Sequence, residues 1–273
     1  MSDVNIGVTG ITKHGQTYYV IYNQNNCIDL FEAETPYKFQ SRICIHNAHP
    51  CDLTDIASTE KYNCLYVSDR GKPCIWCISL SNHSVSKLDV EGIPAALSAT
   101  ADGRLIVTNQ FHNCLDVFDV AVCDVKSGDC SYRRIKTNFK QEEEYVPHAV
   151  ETYKGTFIVC NGFVDYNAHQ VCEMNQYKIT RSFGSRNSGS GERELNQPWY
   201  LVLCEKENIV FVADSQNKRV KMLDCDLNLI STIQTDDHIP IRMCYDKETR
   251  NLIIGSYNKG IRICKVDKIN KEN

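Results

Sequence analysis

The chain has 273 residues, of which 42% are hydrophobic and 23% charged, and its formal net charge is −4 at pH 7. This weakly acidic balance gives no overall attraction for the phosphate backbone of nucleic acids or for anionic lipid. No apolar run approaches the ~20 residues of a membrane-spanning helix, and the first residues lack the basic and apolar regions of a secretory signal. We therefore expect a cytoplasmic protein without a membrane partner, either whole or one domain of a longer chain.

A short pattern recurs six times: an apolar, β-prone stretch that ends at a small or polar turn residue. In chain order the copies lie at 19–22, 66–69, 106–109, 158–161, 211–214 and 253–256. They recur at intervals of roughly 40–50 residues, the period typical of four-stranded propeller blades.

Most copies are preceded by a segment that opens at a proline, and each is followed by a segment of alternating apolar and polar residues. The prolines are Pro50, Pro94, Pro147, Pro198 and Pro240, and the following segments are 27–31, 74–78, 114–118, 170–174, 219–223 and 260–264. Proline is tolerated at the first residue of a strand, and alternation is typical of a half-covered strand. Each unit is thus predicted as three strands, with a more variable fourth strand outside.

Such units bury both faces only when they pack side by side around an axis. We therefore predict an all-β fold, a six-bladed β-propeller of four-stranded antiparallel blades. Residues 1–273 form one domain, expected as a monomer, with about the last seven residues as a loose tail. Because little chain follows Val266, residues 2–6 are expected to supply the outer strand of the last blade and to close the ring.

The fifth unit resembles the NHL repeat. The residues that carry the resemblance are QPW at 197–199, FVAD at 211–214 and NKRV at 217–220, and the stretch 105–109 is similar to the related YVTN repeat. The resemblance implies a binding platform, similar to the C-terminal domains of tripartite-motif NHL proteins, which select protein targets. Some members of the family bind single-stranded RNA. The chain shows no RING or B-box cysteine pattern, so the resemblance does not extend to ligase activity.

Several residues of types found in catalytic or metal sites have a structural interpretation here. Asp69, Asn109, Asn161 and Asp214 each end a repeat, where a short polar side chain can hydrogen-bond the backbone two residues further on. The 15 cysteines lie mostly in apolar runs and are expected to be reduced core residues, because intracellular thiols normally stay reduced.

No metal or cofactor is expected. Cys74 and Cys77 have CxxC spacing, but in a strand their thiols point to opposite faces, and no second ligand pair lies nearby. Some six-bladed lyases repeat a Val-Pro-His motif around the ring, whereas here His148 is the single copy. Counting from each proline, its equivalents are Cys51, Ala95, Trp199 and Ile241. The pair His46 and His49 and the acidic run 142–144 are expected to be loop residues.

We therefore predict a non-catalytic platform that binds a protein partner through a propeller face. The predicted binding residues, chosen as exposed aromatic, histidine or arginine side chains, are Trp199, Tyr200, His148, Phe111, His112, Arg70 and Arg242. Two alternatives stay open. One is single-stranded RNA binding, with Lys218 and Arg219 as possible contacts and Arg133–Arg134 as a second basic pair. The other is a metal-dependent hydrolase or lyase of the six-bladed type. The polar segment 183–194 is expected to be a flexible loop between blades.

Overall fold

The computed structural model describes residues 7–23, 25–33, 38–45, 52–109, 114–120, 132–136, 147–162, 168–175 and 178–267. The strands form six antiparallel sheets, each built from strands that are consecutive in sequence. We number these sheets as blades 1 to 6 in chain order.

The strand bounds of the first three blades are as follows. Blade 1 contains β1 (Val8–His14), β2 (Thr17–Tyr22), β3 (Cys27–Glu32) and β4 (Phe39–Cys44). Blade 2 contains β5 (Leu53–Thr59), β6 (Cys64–Asp69), β7 (Cys74–Ser79) and β8 (Val85–Asp89). Blade 3 contains β9 (Pro94–Ala99), β10 (Arg104–Asn109), β11 (Cys114–Asp119) and β12 (Tyr132–Lys136).

The second half of the chain repeats this arrangement. Blade 4 contains β13 (His148–Glu151), β14 (Phe157–Asn161), β15 (His169–Asn175) and β16 (Lys178–Ser185). Blade 5 contains β17 (Pro198–Cys204), β18 (Ile209–Asp214), β19 (Arg219–Leu223) and β20 (Leu229–Gln234). Blade 6 contains β21 (Pro240–Asp246), β22 (Asn251–Ser256) and β23 (Gly260–Lys265).

The blades form a closed ring. The first strand of every blade contacts the first strand of the next, and β21 of blade 6 contacts β1 of blade 1. The predicted six-bladed β-propeller is therefore confirmed. Blade 6 has three strands among the described residues, and the outer strand predicted from residues 2–6 lies outside them, as does 268–273 of the predicted tail.

Burial explains why the repeats were visible in the sequence. The central residue of each apolar stretch lies in a second strand and is almost fully buried, since both faces of that strand are covered by neighbouring blades. These residues are Val20, Val67, Val107, Val159, Val212 and Ile254. Six hydrophobic clusters result, one at each contact between neighbouring blades.

The ring has two distinct faces. The hairpins that join first and second strands lie on one, which we call the hairpin face. The connections between blades and the turns between second and third strands lie on the other, the crossover face. The helical segments in the described part are two 3-10 turns of three residues each, and no helix there is long and apolar enough to cross a membrane.

The cysteines partly depart from the expectation of free thiols. Ten of those in the described residues are free. Cys27 and Cys44, however, face each other in the register of β3 and β4 and form a disulfide. Direct cross-strand neighbours lie close enough for such a bond, which the apolar surroundings of the cysteines did not reveal.

Candidate functional site

One repeat position of the first strands surrounds the propeller axis. In each blade it is the residue before the one that pairs with the central residue of the second strand. We call this set the axial layer, and its members in blade order are Gly10, Asp55, Ala96, His148, Tyr200 and Arg242. Four of the six carry polar side chains, although the strands that hold them are buried.

The axial layer corrects the equivalents of His148 expected from the sequence. In blades 3, 5 and 6 the register of the first strand shifts between the proline and the axial position. A β-bulge of this kind inserts one extra residue. The residues equivalent to His148 are therefore Ala96, Tyr200 and Arg242, and not Ala95, Trp199 and Ile241. In blade 2 the equivalent is Asp55, and Cys51 lies outside the described residues.

Gly10 lets the inner strands of blades 1 and 2 approach each other closely. A Cβ atom at Gly10 would lie 3.0 Å from the backbone nitrogen of Ile56 and 3.1 Å from the carbonyl carbon of Asp55. Because this position has no side chain, Arg242 of blade 6 can reach past blade 1 to blade 2. Its Nη2 donates to the Thr54 carbonyl over 2.7 Å.

Asp55 is the centre of a buried polar cluster. Its Oδ1 lies 3.2 Å from Nε of Arg242 and 3.5 Å from the hydroxyl of Tyr200 across the axis. Its Oδ2 accepts the backbone N–H of Leu97 over 2.9 Å. The Arg242 guanidinium also lies over the Tyr200 ring, with Cζ 5.2 Å from the ring centroid.

His148 joins blade 4 to both neighbours. The Leu201 N–H donates to its Nδ1 over 3.2 Å, so Nε2 carries the proton and donates to the Leu97 carbonyl at 3.2 Å. The ring also stacks on Tyr200 with centroids 3.8 Å apart. Both ring nitrogens are therefore engaged with protein groups, as expected of a structural histidine in the channel.

Burial shifts the pKa values of two groups in the cluster. Desolvation raises the pKa of Asp55 to about 6, although the nearby Arg242 cation and the Leu97 N–H oppose the shift. Desolvation also lowers the pKa of His148 to about 3, and Arg242 contributes in the same direction. At neutral pH the site thus holds an ionised Asp55 paired with Arg242, beside a neutral imidazole.

An open cavity of about 510 Å³ lies above the axial layer, toward the hairpin face. His148 and Tyr200 line its inner end, and hairpin residues such as Ala101 and Lys206 line its mouth. The cavity exists because the next inward-facing position of each first strand carries a small or β-branched residue. These residues are Thr12, Ala57, Ser98, Val150, Val202 and Cys244. We call them the small-residue ring. The volume is in the range of ligand pockets, ~300–1,000 Å³.

The acidic groups that line the cavity mouth are engaged by protein donors. Glu151 accepts from Arg104 over 2.9 Å, Glu60 accepts the Gly15 N–H over 3.1 Å, and Glu205 accepts the backbone N–H of Tyr153.

The basic groups at the mouth are of two kinds. Lys13 is paired with Asp246 at 2.8 Å and with Glu248 at 3.1 Å. Lys206 and Lys247 also line the cavity and are exposed, and neither has a carboxylate within 4.0 Å among the residues that the structure describes. The mouth therefore carries charges of both signs, because the backbone N–H donors leave the negative charges of Glu60 and Glu205 in place beside Lys206 and Lys247.

The predicted binding residues fall into three groups. His148, Tyr200 and Arg242 are 1%, 5% and 8% exposed and belong to the axial layer. Trp199 is half-buried in β17, and Arg70 is exposed on the crossover face after β6. Phe111 and His112 lie outside the described residues, as do His46, His49 and the acidic run 142–144. The role of these residues in binding stays a prediction.

The two basic pairs considered for RNA each contain an engaged arginine. Arg219 donates four hydrogen bonds, to Asp214 at 2.6 Å and to the carbonyls of Ser190, Gly191 and Glu194. Lys218 beside it is exposed. In the other pair, Arg134 is bound to Asp116 through Nε and Nη2 at 2.7 and 2.9 Å.

The contacts of Arg219 also correct the prediction that segment 183–194 is flexible. Besides the three carbonyls bound by Arg219, the Glu192 carbonyl accepts from Nζ of Lys221 over 2.7 Å. Carbonyl groups of the loop are thus held by two cations on β19. The sequence could not show this, because the donors follow the loop by about 25 residues or more.

The remaining motifs have structural roles. Asp69 accepts the N–H groups of Gly71 and Lys72, as predicted for a turn residue. Cys74 and Cys77 belong to clusters on opposite sides of blade 2. Within the described ranges, no group of three or more His, Cys, Asp or Glu side chains is placed to hold a metal ion.

Sequence comparison finds no relative: no protein-family model matches, and neither does any curated protein. Among solved structures, 1153 chains match, so the architecture is widespread. One is hydrazine synthase from Kuenenia stuttgartiensis, with a TM-score of 0.67 and 13% identity over 98% of each chain. At this identity the likeness concerns the fold alone, and membership of the NHL family is not confirmed. What the comparisons and the strand arrangement establish together is a six-bladed β-propeller.

Proposed function

We propose that this chain is a non-catalytic binding platform that holds a protein partner on its hairpin face. The observation that carries the proposal is the open axial cavity, with the exposed side chains of Lys206 and Lys247 at its mouth. Rigid scaffolds that present loops around a concave site are a common arrangement for recognition.

An exposed aromatic residue extends this surface beyond the cavity. Tyr153 is 76% exposed on the hairpin of blade 4, and its backbone N–H is bound to Glu205 of the next blade, which lines the cavity. Lys154 lies beside it, with Nζ 5.6 Å from the Tyr153 ring centroid. Tyrosine is among the residues most enriched in the binding hot spots of protein interfaces.

The absence of catalysis is part of the proposal, and the axial layer supports it. The ring nitrogens of His148 and both carboxylate oxygens of Asp55 are already in contact with protein groups. A general acid or base needs a free site within hydrogen-bond reach of its substrate. A stoichiometric metal ion in the purified protein would contradict this part of the proposal.

We also propose a distant relation to NHL repeats and a cytoplasmic location. The relation is supported by blade 5, where the motif residues Asp214 and Arg219 form an ion pair at 2.6 Å. The location is supported by the ten free thiols. In a reducing compartment the Cys27–Cys44 bond would be expected to open.

Affinity capture from cells that express the tagged chain tests which face of the propeller binds the partner. The wild type is compared with the hairpin-face variant Tyr153→Ala/Lys206→Ala and with the crossover-face control Arg70→Ala/Lys218→Ala. All four residues are exposed, so both variants should fold. We expect captured proteins to be lost with the first variant and kept with the second. The reverse pattern would place the partner on the crossover face and contradict the proposal.

A further inference from the structure

We propose that blade 6 binds an extended segment of a partner protein as its fourth strand. The segment pairs antiparallel with β23 and places a large apolar residue opposite Ile261. This site lies at the outer edge of the ring, away from the axial cavity. The inference therefore goes beyond the proposed function and does not depend on it.

The outer edge of blade 6 presents backbone groups for a further strand. Within the described residues blade 6 ends at β23, whereas each of the other five blades has a fourth strand. The N–H of Val266 donates to the Arg250 carbonyl beside β22 over 2.9 Å. Because alternate residues of an antiparallel strand bond to opposite sides, the backbone groups of Ile261 and Ile263 point away from β22. We call the place to which they point the blade 6 slot.

The side chains of β23 lack the cover that other third strands receive. The third strands of blades 3 and 5 are almost entirely buried, whereas no residue of β23 is buried. Ile263 is 40% exposed, and Phe39 of blade 1 is 51% exposed and packs against Phe31. Phe31 and Ile261 lie against the same hydrophobic cluster, so the exposed apolar surface crosses from blade 6 to blade 1. A continuous apolar surface of this kind marks an interaction site.

The other blades define what the slot accepts. In each of them, the third-strand residue before the one that pairs with the centre of the second strand lies opposite a large apolar residue of the fourth strand. These apolar residues are Ile43, Leu88, Ile135, Phe183 and Ile233. In blade 6 the equivalent third-strand residue is Ile261. A strand that continues the pattern therefore brings a large apolar residue opposite Ile261, and extended segments of partner proteins add to open sheet edges in this way.

The spacing along the chain favours a partner segment over residues 2–6, which were expected to supply this strand. In the other blades the apolar residue of the fourth strand precedes the axial residue of the next blade by eight positions or more. Val4 and Ile6 precede the axial Gly10 by six and four positions. Neither is far enough from β1 to lie opposite Ile261 through a connection of the usual length.

The test is selection of a random peptide library, displayed on phage, against the wild-type propeller, with counter-selection against Ile263→Pro. Proline at this position removes an N–H that points into the slot, so the pairing of β22 with β23 should remain. We expect the retained peptides to carry alternating apolar residues and no proline. A synthetic peptide of that sequence should slow hydrogen exchange of the Ile261 and Ile263 amides by about tenfold or more, because strand addition bonds both N–H groups.

A matched proline controls for the substitution itself. The Thr235 N–H donates to the Lys218 carbonyl on β19's side, so by the same alternation the N–H of Gln234 points away from blade 5. We expect Ile263→Pro to abolish binding of the synthetic peptide and Gln234→Pro to leave it unchanged.

A second pair of variants serves if Ile263→Pro does not fold. Ile263→Asp places a charge against the apolar slot and should weaken binding by about tenfold or more. Ile179→Asp is its control, because Ile179 lies on the outer strand of blade 4 and is 38% exposed. Binding to Ile179→Asp should equal binding to the wild type.

Three results would overturn the inference: no enrichment of peptides, equal binding to Ile263→Pro and the wild type, or unchanged exchange of the Ile261 and Ile263 amides. Binding that appears only after removal of residues 1–6 and 268–273 would show that the chain's own ends fill the slot, and would overturn it as well. None of these results bears on the hairpin face, which affinity capture tests separately.

Discussion

At the residue scale, the axial layer brings two groups with opposite pKa shifts into one buried cluster. Asp55 is an acid whose pKa rises from 3.8 to about 6, and His148 is a base whose pKa falls from 6.5 to about 3. In both, desolvation disfavours the charged form. Arg242 faces both groups, and Tyr200 contacts both, so the four side chains form one electrostatic unit.

The two shifts act on stability in opposite directions. Between about pH 4 and pH 6 the folded state holds a proton on Asp55 that the unfolded chain loses, so this group's contribution falls as pH rises. Between about pH 3 and pH 6.5 the unfolded chain binds a proton that buried His148 does not, so that contribution rises with pH. In the wild type the two dependences largely cancel where they overlap.

We predict that neutral replacements of His148 and Asp55 separate the two pH dependences of stability. In His148→Gln, stability relative to the wild type should fall as pH rises from about 3 to about 6.5, with a slope near ~1.4 kcal/mol per pH unit. In Asp55→Asn, stability relative to the wild type should rise with pH over about pH 4 to 6. Urea unfolding at several pH values measures both. If both curves run parallel to that of the wild type, the two groups are not buried together as described.

At the element scale, the sequence predicted the buried strands, but it did not predict features that depend on pairing with neighbouring strands. Second strands were predicted because both faces are covered, which produces the apolar stretches around Val67 or Val212. The fourth strands β4 and β16 are largely exposed, so no alternation marks them. The bulges in β17 and β21 could not be predicted, because a strand that opens at a proline shows no sequence signal for one extra residue.

The loop 186–196 is the element whose order depends most clearly on side chains from elsewhere. We predict that Arg219→Ala exposes it to trypsin, which would cut after Arg186 and Arg193. Losing hydrogen bonds worth more than ~1.4 kcal/mol should speed cleavage at these two sites by about tenfold or more, because proteolysis follows the population of the open form. The measurement is mass-spectrometric mapping of fragments over time.

Lys218→Ala is the matched control, because Lys218 precedes Arg219 but is exposed. Cleavage at the two loop sites should match the wild type in this control. Equal cleavage rates in Arg219→Ala and Lys218→Ala would show that the loop does not depend on the cation on β19.

At the scale of the whole molecule, ring closure creates the candidate site. The axial layer and the small-residue ring each take one residue from every blade, so no blade contains a site by itself. The sequence identified His148, Tyr200 and Arg242 as candidates, but it could not show that they meet Asp55 at the axis. Asp55 could have been found by aligning the residue before the one that pairs with each second-strand centre, and that alignment needs the strand register, which only pairing defines.

The closed ring also separates two surfaces that a mutation series can compare. The hairpin face carries the cavity mouth, Tyr153 and the exposed Lys206 and Lys247. The crossover face carries Arg70 and Lys218, both exposed. Because the two faces lie at opposite ends of the same strands, a partner on one is remote from probes on the other.

The most direct test is photo-cross-linking in cells, with a photoreactive amino acid placed at Tyr153 in one variant and at Arg70 in another. We predict a discrete protein adduct from position 153 and none from position 70, because the partner covers the hairpin face. An adduct from position 70 alone, or none from either position, would contradict binding at the cavity mouth.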